Sequence, residues 1–181
     1  MDVFVEYMVK RRATLKDTVL MILYALIALA IFIIGFFFGT ALGPYAFVGT
    51  VIGVAAIFGA YFLISSMNVE YEYIVTNGEI DVDKIMARRK RKRLVTANAR
   101  TFEEFGPYHH VDHQGKEYSN RVYACTSVTD EGSYYAVFNH TKLGKTLLVF
   151  SPNDRVLESL KTFIPRQVAG NVDYGNRSSA N

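Results

Sequence analysis

No charged side chain stands between Asp17 and Glu70. A run of that length narrows what a chain of 181 residues can become, because about 20 apolar residues suffice to cross the hydrocarbon core of a bilayer. The block is long enough for two crossings and a turn. "GTALGPY" supplies the turn near its middle, where Gly39, Gly43 and Pro44 all favour leaving a helix. The pattern predicts two transmembrane helices, about 18–38 and 45–65. A buried hairpin of a soluble protein would need covering, and too few residues remain to enclose it. A cleaved signal peptide fits poorly: the first apolar run exceeds the roughly 7–15 residues of such a segment, and a second follows at once.

Lys10, Arg11, Arg12 and Lys16 flank the first span, whereas the short turn between the spans has no Lys or Arg. The positive-inside rule then places residues 1–17 in the cytoplasm, and two crossings return the chain there after about Ser66. The one cysteine, Cys125, agrees with a reducing compartment, since no intrachain disulfide can form. The expected location is the cell membrane, with both flanks inside.

Small residues recur at four-residue spacing within the spans: Gly35/Gly39, Gly49/Gly53 and Ala55/Gly59. Such spacing lets helix backbones approach closely in lipid, where packing drives association. The expectation is packing of the hairpin on itself, with a homo-oligomer as the alternative. Neither span holds an Asp, Glu, Lys, Arg or His, so ion or proton transport has no foothold.

Beyond the spans the periodicity changes to two. In "VEYEYIV", Val69, Tyr71, Tyr73 and Val75 alternate with Glu70, Glu72 and Ile74, as along a strand. Asn77-Gly78 then suits a two-residue hairpin turn, and Glu79, Asp81 and Asp83 would line the outer face of the next strand. "RVYACTSV" (121–128) and "YYAVFNH" (134–140) are strand-rich runs around Asp130 to Ser133, and "KTLLVF" (145–150) is a further strand. A helix closes the domain. Ser151 is the expected cap, Pro152 suits the first position and Asp154 suits its positive end. Val156, Leu157, Leu160, Phe163 and Ile164 form one apolar stripe, and Pro165 ends it. The polar, Gly/Asn/Ser-rich residues 166–181 are expected to be disordered.

Six or seven antiparallel strands and one amphipathic helix over residues 66–165 make a small α+β domain, a sheet or partial barrel with a C-terminal capping helix. "VEYEYIVTNGEIDVDKIMARRKRKRLVTANARTFEEF", followed by a hairpin and "LLVFSPNDRVLESLKTFI", resembles the bacterial pleckstrin-homology-like (PH-like) domains found beside membrane helices. The whole chain is similar to small two-span membrane proteins of Gram-positive bacteria that carry such a domain. The segment between Phe105 and Asn120 has no counterpart in that pattern. The fold hosts many functions, so the resemblance implies an architecture rather than an activity.

Six cations stand in an unbroken row, Arg88, Arg89, Lys90, Arg91, Lys92 and Arg93. Burying them unpaired is far too costly, so they are expected at an exposed hairpin end between a strand ending near Met86 and one starting near Leu94. Two roles fit: a solvated strand edge that resists aggregation, and a contact to anionic headgroups worth about 1 kcal/mol per residue. Nucleic acid is not expected as a partner, because the rest of the domain is net acidic and lipid phosphates lie nearer to a tethered chain.

His109, His110, Asp112 and His113 are weak candidates for a metal site. Their spacing matches no familiar motif, no cysteine is near, and Gly106-Pro107 and Gly115 mark a solvated loop. Cys125 lies mid-strand and reads as a buried, inert thiol. Glu103 and Glu104 read as surface acids. There is no phosphate-binding glycine loop, no nucleophile elbow and no HExxH. The expectation is a non-enzymatic, cofactor-free, membrane-anchored binding or scaffold protein facing the bilayer, an anionic phospholipid or an acidic protein partner. The alternative is a structural or accessory subunit that uses the helical hairpin as its interaction surface.

Overall fold

The computed structural model describes residues 3–41 and 43–169. Two compact units emerge. One holds the two apolar helices together with Met86–Arg89, and the other holds the β-rich remainder, including the first residues of the chain.

In the helical unit, α1 runs Leu15–Ala41 and α2 runs Ala46–Ser66, joined through a 3-10 turn at Gly43–Tyr45. The first helix starts three residues earlier than the apolar pattern indicates, because Thr14 and Asp17 cap it reciprocally. The Thr14 amide and hydroxyl donate to Asp17 Oδ2 at 2.9 Å each, and the Asp17 amide donates to Thr14 Oγ1 at 3.3 Å. Both helices are long and apolar enough to cross a membrane, and little of either is buried within the protein. The core helix of a soluble protein would be covered.

The β-rich unit has eight strands in two sheets: β1 (Phe4–Lys10), β2 (Val69–Thr76), β3 (Glu79–Met86), β4 (Lys90–Asn98), β5 (Phe102–Pro107), β6 (Asn120–Ala124), β7 (Tyr134–His140) and β8 (Gly144–Phe150). The first sheet has the order β1-β2-β3-β4, the second β5-β7-β8-β6. The N-terminal segment is therefore a strand of the domain, antiparallel to β2 in the register Phe4↔Thr76 to Lys10↔Glu70. Residues 1–17 were expected only as a cytoplasmic flank, although Val5, Tyr7 and Val9 alternate with Glu6, Met8 and Lys10 as along a strand.

The second sheet departs from the all-antiparallel expectation. β6 pairs with β8 in parallel, Asn120↔Thr146 through Ala124↔Phe150, while β7 lies antiparallel to both β8 and β5. The runs flanking Asp130–Ser133 are thus not hairpin partners. β6 also ends at Ala124, after which the chain bends through Cys125–Thr129.

The sheets meet through Tyr73 of β2, whose ring lies 5.7 Å from that of Phe150 on β8. The Tyr73 hydroxyl donates to the Ala124 carbonyl and accepts from the Ser151 amide at 3.1 Å. Ser151 is engaged there, buried, with its Oγ accepting from the Thr126 amide at 3.1 Å. It is therefore not the helix cap. α3 (Asp154–Lys161) is capped by Asn153, whose Oδ1 accepts from the Val156 amide at 3.0 Å. Val156, Leu157, Leu160 and Ile164 are buried, as the stripe requires. Past Pro165 a short helix α4, Arg166–Ala169, forms where disorder was expected. The rest of that expected tail lies outside the described residues.

Candidate functional site

The basic row divides in two. The β3–β4 turn is Ala87–Arg89, and Lys90–Arg93 already belong to β4, four residues earlier than the expected strand start. Alternation along β4 sends Arg91 and Arg93 to one face. There they meet carboxylates. Arg91 Nη2 lies 2.8 Å from Glu72 Oε2 and its Nη1 4.0 Å from Asp83 Oδ2. Arg93 binds Asp83 through Nε and Asp81 at 2.6 Å through Nη1, and Thr96 donates to Asp81 at 2.5 Å. The side chains of Glu72 and Asp83 are 1% and 3% exposed, so two guanidinia of the row neutralise buried acids of the sheet. Asp83 was expected on an open outer face. The arginines roof it over.

Burial pushes the Glu72 carboxyl above its ordinary range. Arg91 opposes that shift, while Glu6 and Asp83 reinforce it. Lys90 and Lys92 are exposed and have no carboxylate partner among the described residues.

The turn itself is tied to the helical unit. The Ala87 amide donates to the Asn68 carbonyl at 2.9 Å, and the Arg89 guanidinium stacks 5.6 Å from the ring centre of Phe62, in the last turns of α2. The Arg89 amide closes the turn on the Met86 carbonyl at 3.1 Å. Both central residues have positive φ, Ala87 at 52° and Arg88 at 55°. For residues carrying a Cβ that conformation costs about 1–2 kcal/mol each.

The helix glycines occupy different settings. A Cβ on Gly49 would lie 1.9 Å from the Gly35 carbonyl oxygen and 3.0 Å from Gly39 Cα, and one on Gly35 would lie 2.6 Å from the Gly49 oxygen. Gly53 abuts Phe32. These four sit where α1 and α2 cross. Gly59 does not: nothing lies within 4 Å of its would-be Cβ. It opens on an apolar groove of about 190 Å³ shared with Tyr24, Ala28, Ile31, Ala60 and Leu63.

In the histidine stretch, no group of three or more candidate metal ligands converges among the described residues. His109, His110 and Asp112 are exposed, and His110 meets the Tyr108 hydroxyl at 3.1 Å. His113 turns inward instead. It stacks on Tyr108 at 5.3 Å, meets the Tyr135 ring edge-on at 4.2 Å, and its Nδ1 lies 2.9 Å from the Tyr118 hydroxyl. Burial lowers its pKa and Lys116 adds to that, against Glu104 and Asp112. The segment between Phe105 and Asn120 is thus a strap. With Cys125, Val137, Leu147 and Val149 it forms a second small core on the outer face of the second sheet. Burial pushes the Cys125 thiol up to about 11, which leaves it unreactive at neutral pH. Glu104 lies on β5 and pairs with Lys116 at 3.3 Å.

A family model described as "Bacterial PH-like domain (DUF6106)" matches residues 1–170. No curated protein and no solved structure shows a match to the chain. The matched span starts at the first residue, in keeping with β1 being part of the fold.

Proposed function

Because the chain belongs to the bacterial PH-like domain family, we propose that it is a non-enzymatic binding or scaffold protein held at the inner face of the cell membrane, with Arg89, Lys90 and Lys92 set against anionic headgroups. The observation that carries this reading is the Ala87–Arg89 turn, fixed beside the last turns of α2 by Asn68 and Phe62. If α2 crosses a bilayer, its end lies at headgroup depth, and so does the Arg89 guanidinium. Three cations at about 1 kcal/mol each would contribute about 3 kcal/mol of attraction to an anionic leaflet. Arg91 and Arg93 already have acidic partners within the sheet and add little.

The placement of both flanks on one side is supported by β1. It precedes α1, yet it pairs residue by residue with β2, which follows α2. Two crossings satisfy that pairing and a single crossing does not. The Lys10–Arg12 cluster and Lys16 favour the cytoplasm for that side.

Hydrogen exchange of the full chain in nanodiscs tests the headgroup contact. Amides 87–92 should be protected in phosphatidylglycerol relative to phosphatidylcholine, and the protection should vanish in Lys90→Gln/Lys92→Gln. Equal exchange in the two lipids would refute the contact. The groove at Gly59 favours a second reading, docking of a partner helix on α1 and α2. Under it, Gly59→Leu would release a co-purifying protein from mild-detergent extracts without altering exchange at 87–92.

A further inference from the structure

We propose that the cleft bounded by Lys116, Tyr118, Ser119, Arg121 and Lys145 binds a phosphate monoester. The parallel β6–β8 pairing builds it, on strands other than those of the basic row. The register Arg121↔Leu147 sets the end of the strap beside the start of β8. The Ser119 amide then donates to the Lys145 carbonyl at 2.9 Å. Gly144, at φ +68°, lets the backbone pass close by: a Cβ there would lie 3.0 Å from Ser119 Oγ. The resulting cleft has a volume of about 560 Å³, room for a phosphate and a small organic group.

Arg121 is the telling residue. One of its Nη atoms donates to the Lys116 carbonyl at 2.7 Å, and its guanidinium lies 5.2 Å over the Tyr118 ring. Both partners are neutral. Arg91 and Arg93 are held by carboxylates, whereas Arg121 is ordered without losing its charge, with most of its five N–H donors left over. Neither Arg121 nor Lys145 has a carboxylate within ion-pair distance among the described residues. Lys116 is paired with Glu104 at 3.3 Å and adds little net charge, and Glu117 is the one acid on the rim. The Arg121 guanidinium fork beside the Lys145 ammonium, neither held by a carboxylate, suits a compact, nearly divalent anion. A nucleic acid is a poor match, since Arg121 already covers the Tyr118 face on which a base would stack.

A phosphorylated lipid headgroup and a soluble phosphorylated metabolite present the same chemistry. The full chain in phosphatidylcholine nanodiscs is titrated with glycerol 3-phosphate, and in a second arm phosphatidic acid is added to the discs, with amide chemical shifts of residues 116–121 and 145 as the readout. Saturable shifts in the first arm identify a soluble ligand, and in the second arm alone a headgroup. Arg121→Gln and Lys145→Gln should each weaken binding about tenfold or more. Lys142→Gln, the same charge change in the nearby turn, should alter it less than about twofold. Lys145 is exposed and holds no part of the strap through its side chain, so its variant reports on binding even if Arg121→Gln loosens the fold. Lys90→Gln/Lys92→Gln should leave these shifts in place, which separates this site from the basic row. No saturable shift in either arm, or equal loss in Lys142→Gln, overturns the proposal.

Discussion

The two tight turns of the first sheet share a backbone and differ in chemistry. At β2–β3 the positive-φ positions are Asn77 at 50° and Gly78 at 89°; at β3–β4 they are Ala87 at 52° and Arg88 at 55°. Asn and Gly adopt that conformation readily, whereas Ala and Arg pay for it. The first turn is also woven into the fold. The Val3 amide donates to Asn77 Oδ1 at 3.0 Å, the Asn77 amide donates to the Val3 carbonyl at 3.0 Å, and Phe163 packs against Gly78. The second turn is held by Asn68 and Phe62 of the helical unit. The difference teaches that folding alone accounts for Asn77-Gly78. Ala87-Arg88 retains strain that one change to glycine would relieve, and retained strain points to another demand on the turn.

A third connection in the same sheet, the helical hairpin between β1 and β2, gives the largest expected effect. Lys10 and Glu70 are register partners, so an Asn-Gly turn can replace residues 11–69. The joined chain should be a folded, detergent-free monomer by sedimentation and circular dichroism. The same domain begun at Val69 lacks β1, bares the edge of β2 and should aggregate. Equal behaviour of the two would remove β1 from the domain.

Gly78→Ala comes next. Its Cβ would meet the Phe163 ring at 2.6 Å at a strained φ, so a loss of roughly 2–4 kcal/mol is expected in thermal melts. Arg88→Gly should move the other way, a gain of about 1 kcal/mol. If both turns respond with the same sign, the contrast between them fails. Asp83→Ala should lose roughly 1–3 kcal/mol by removing the partner of Arg93 Nε and leaving that guanidinium with Asp81 alone, while Lys92→Gln stays within about 0.5 kcal/mol.

The smallest effect concerns pH. His113 has a lowered pKa in the fold, so the unfolded chain takes up a proton first as pH falls. Stability is therefore whole above the unfolded value of 6.5 and declines below it, through the folded pKa. The melting temperature should fall in that range more steeply for the native chain than for His113→Gln.

Much of this was legible in the residues. The neutral block, the Asn-Gly turn, the strand at 134–140 and the apolar stripe from Val156 to Ile164 rest on local periodicity, which needs no knowledge of partners. What escaped depended on distant pairing. β1 makes sense only against β2, and the parallel β6–β8 pair joins runs that no turn connects. The basic row looked uniform because charge is visible in sequence while its neutralisation by Glu72, Asp81 and Asp83 is not. The same blindness hid His113, which joins an aromatic core rather than a ligand set, and Arg121, whose partners are a carbonyl and a ring. A signal for Arg91 and Arg93 did exist: acids at alternate positions of the neighbouring strands.

The central claim is the paired crossing that leaves both flanks on the cytoplasmic side. Single-cysteine variants in a Cys125→Ser background, labelled in intact cells with a membrane-impermeant maleimide, test it most directly. Pro44→Cys should react from outside, whereas Asn77→Cys and Lys142→Cys should react only after permeabilisation. Labelling of Asn77→Cys or Lys142→Cys in intact cells, with Pro44→Cys protected, would contradict the account.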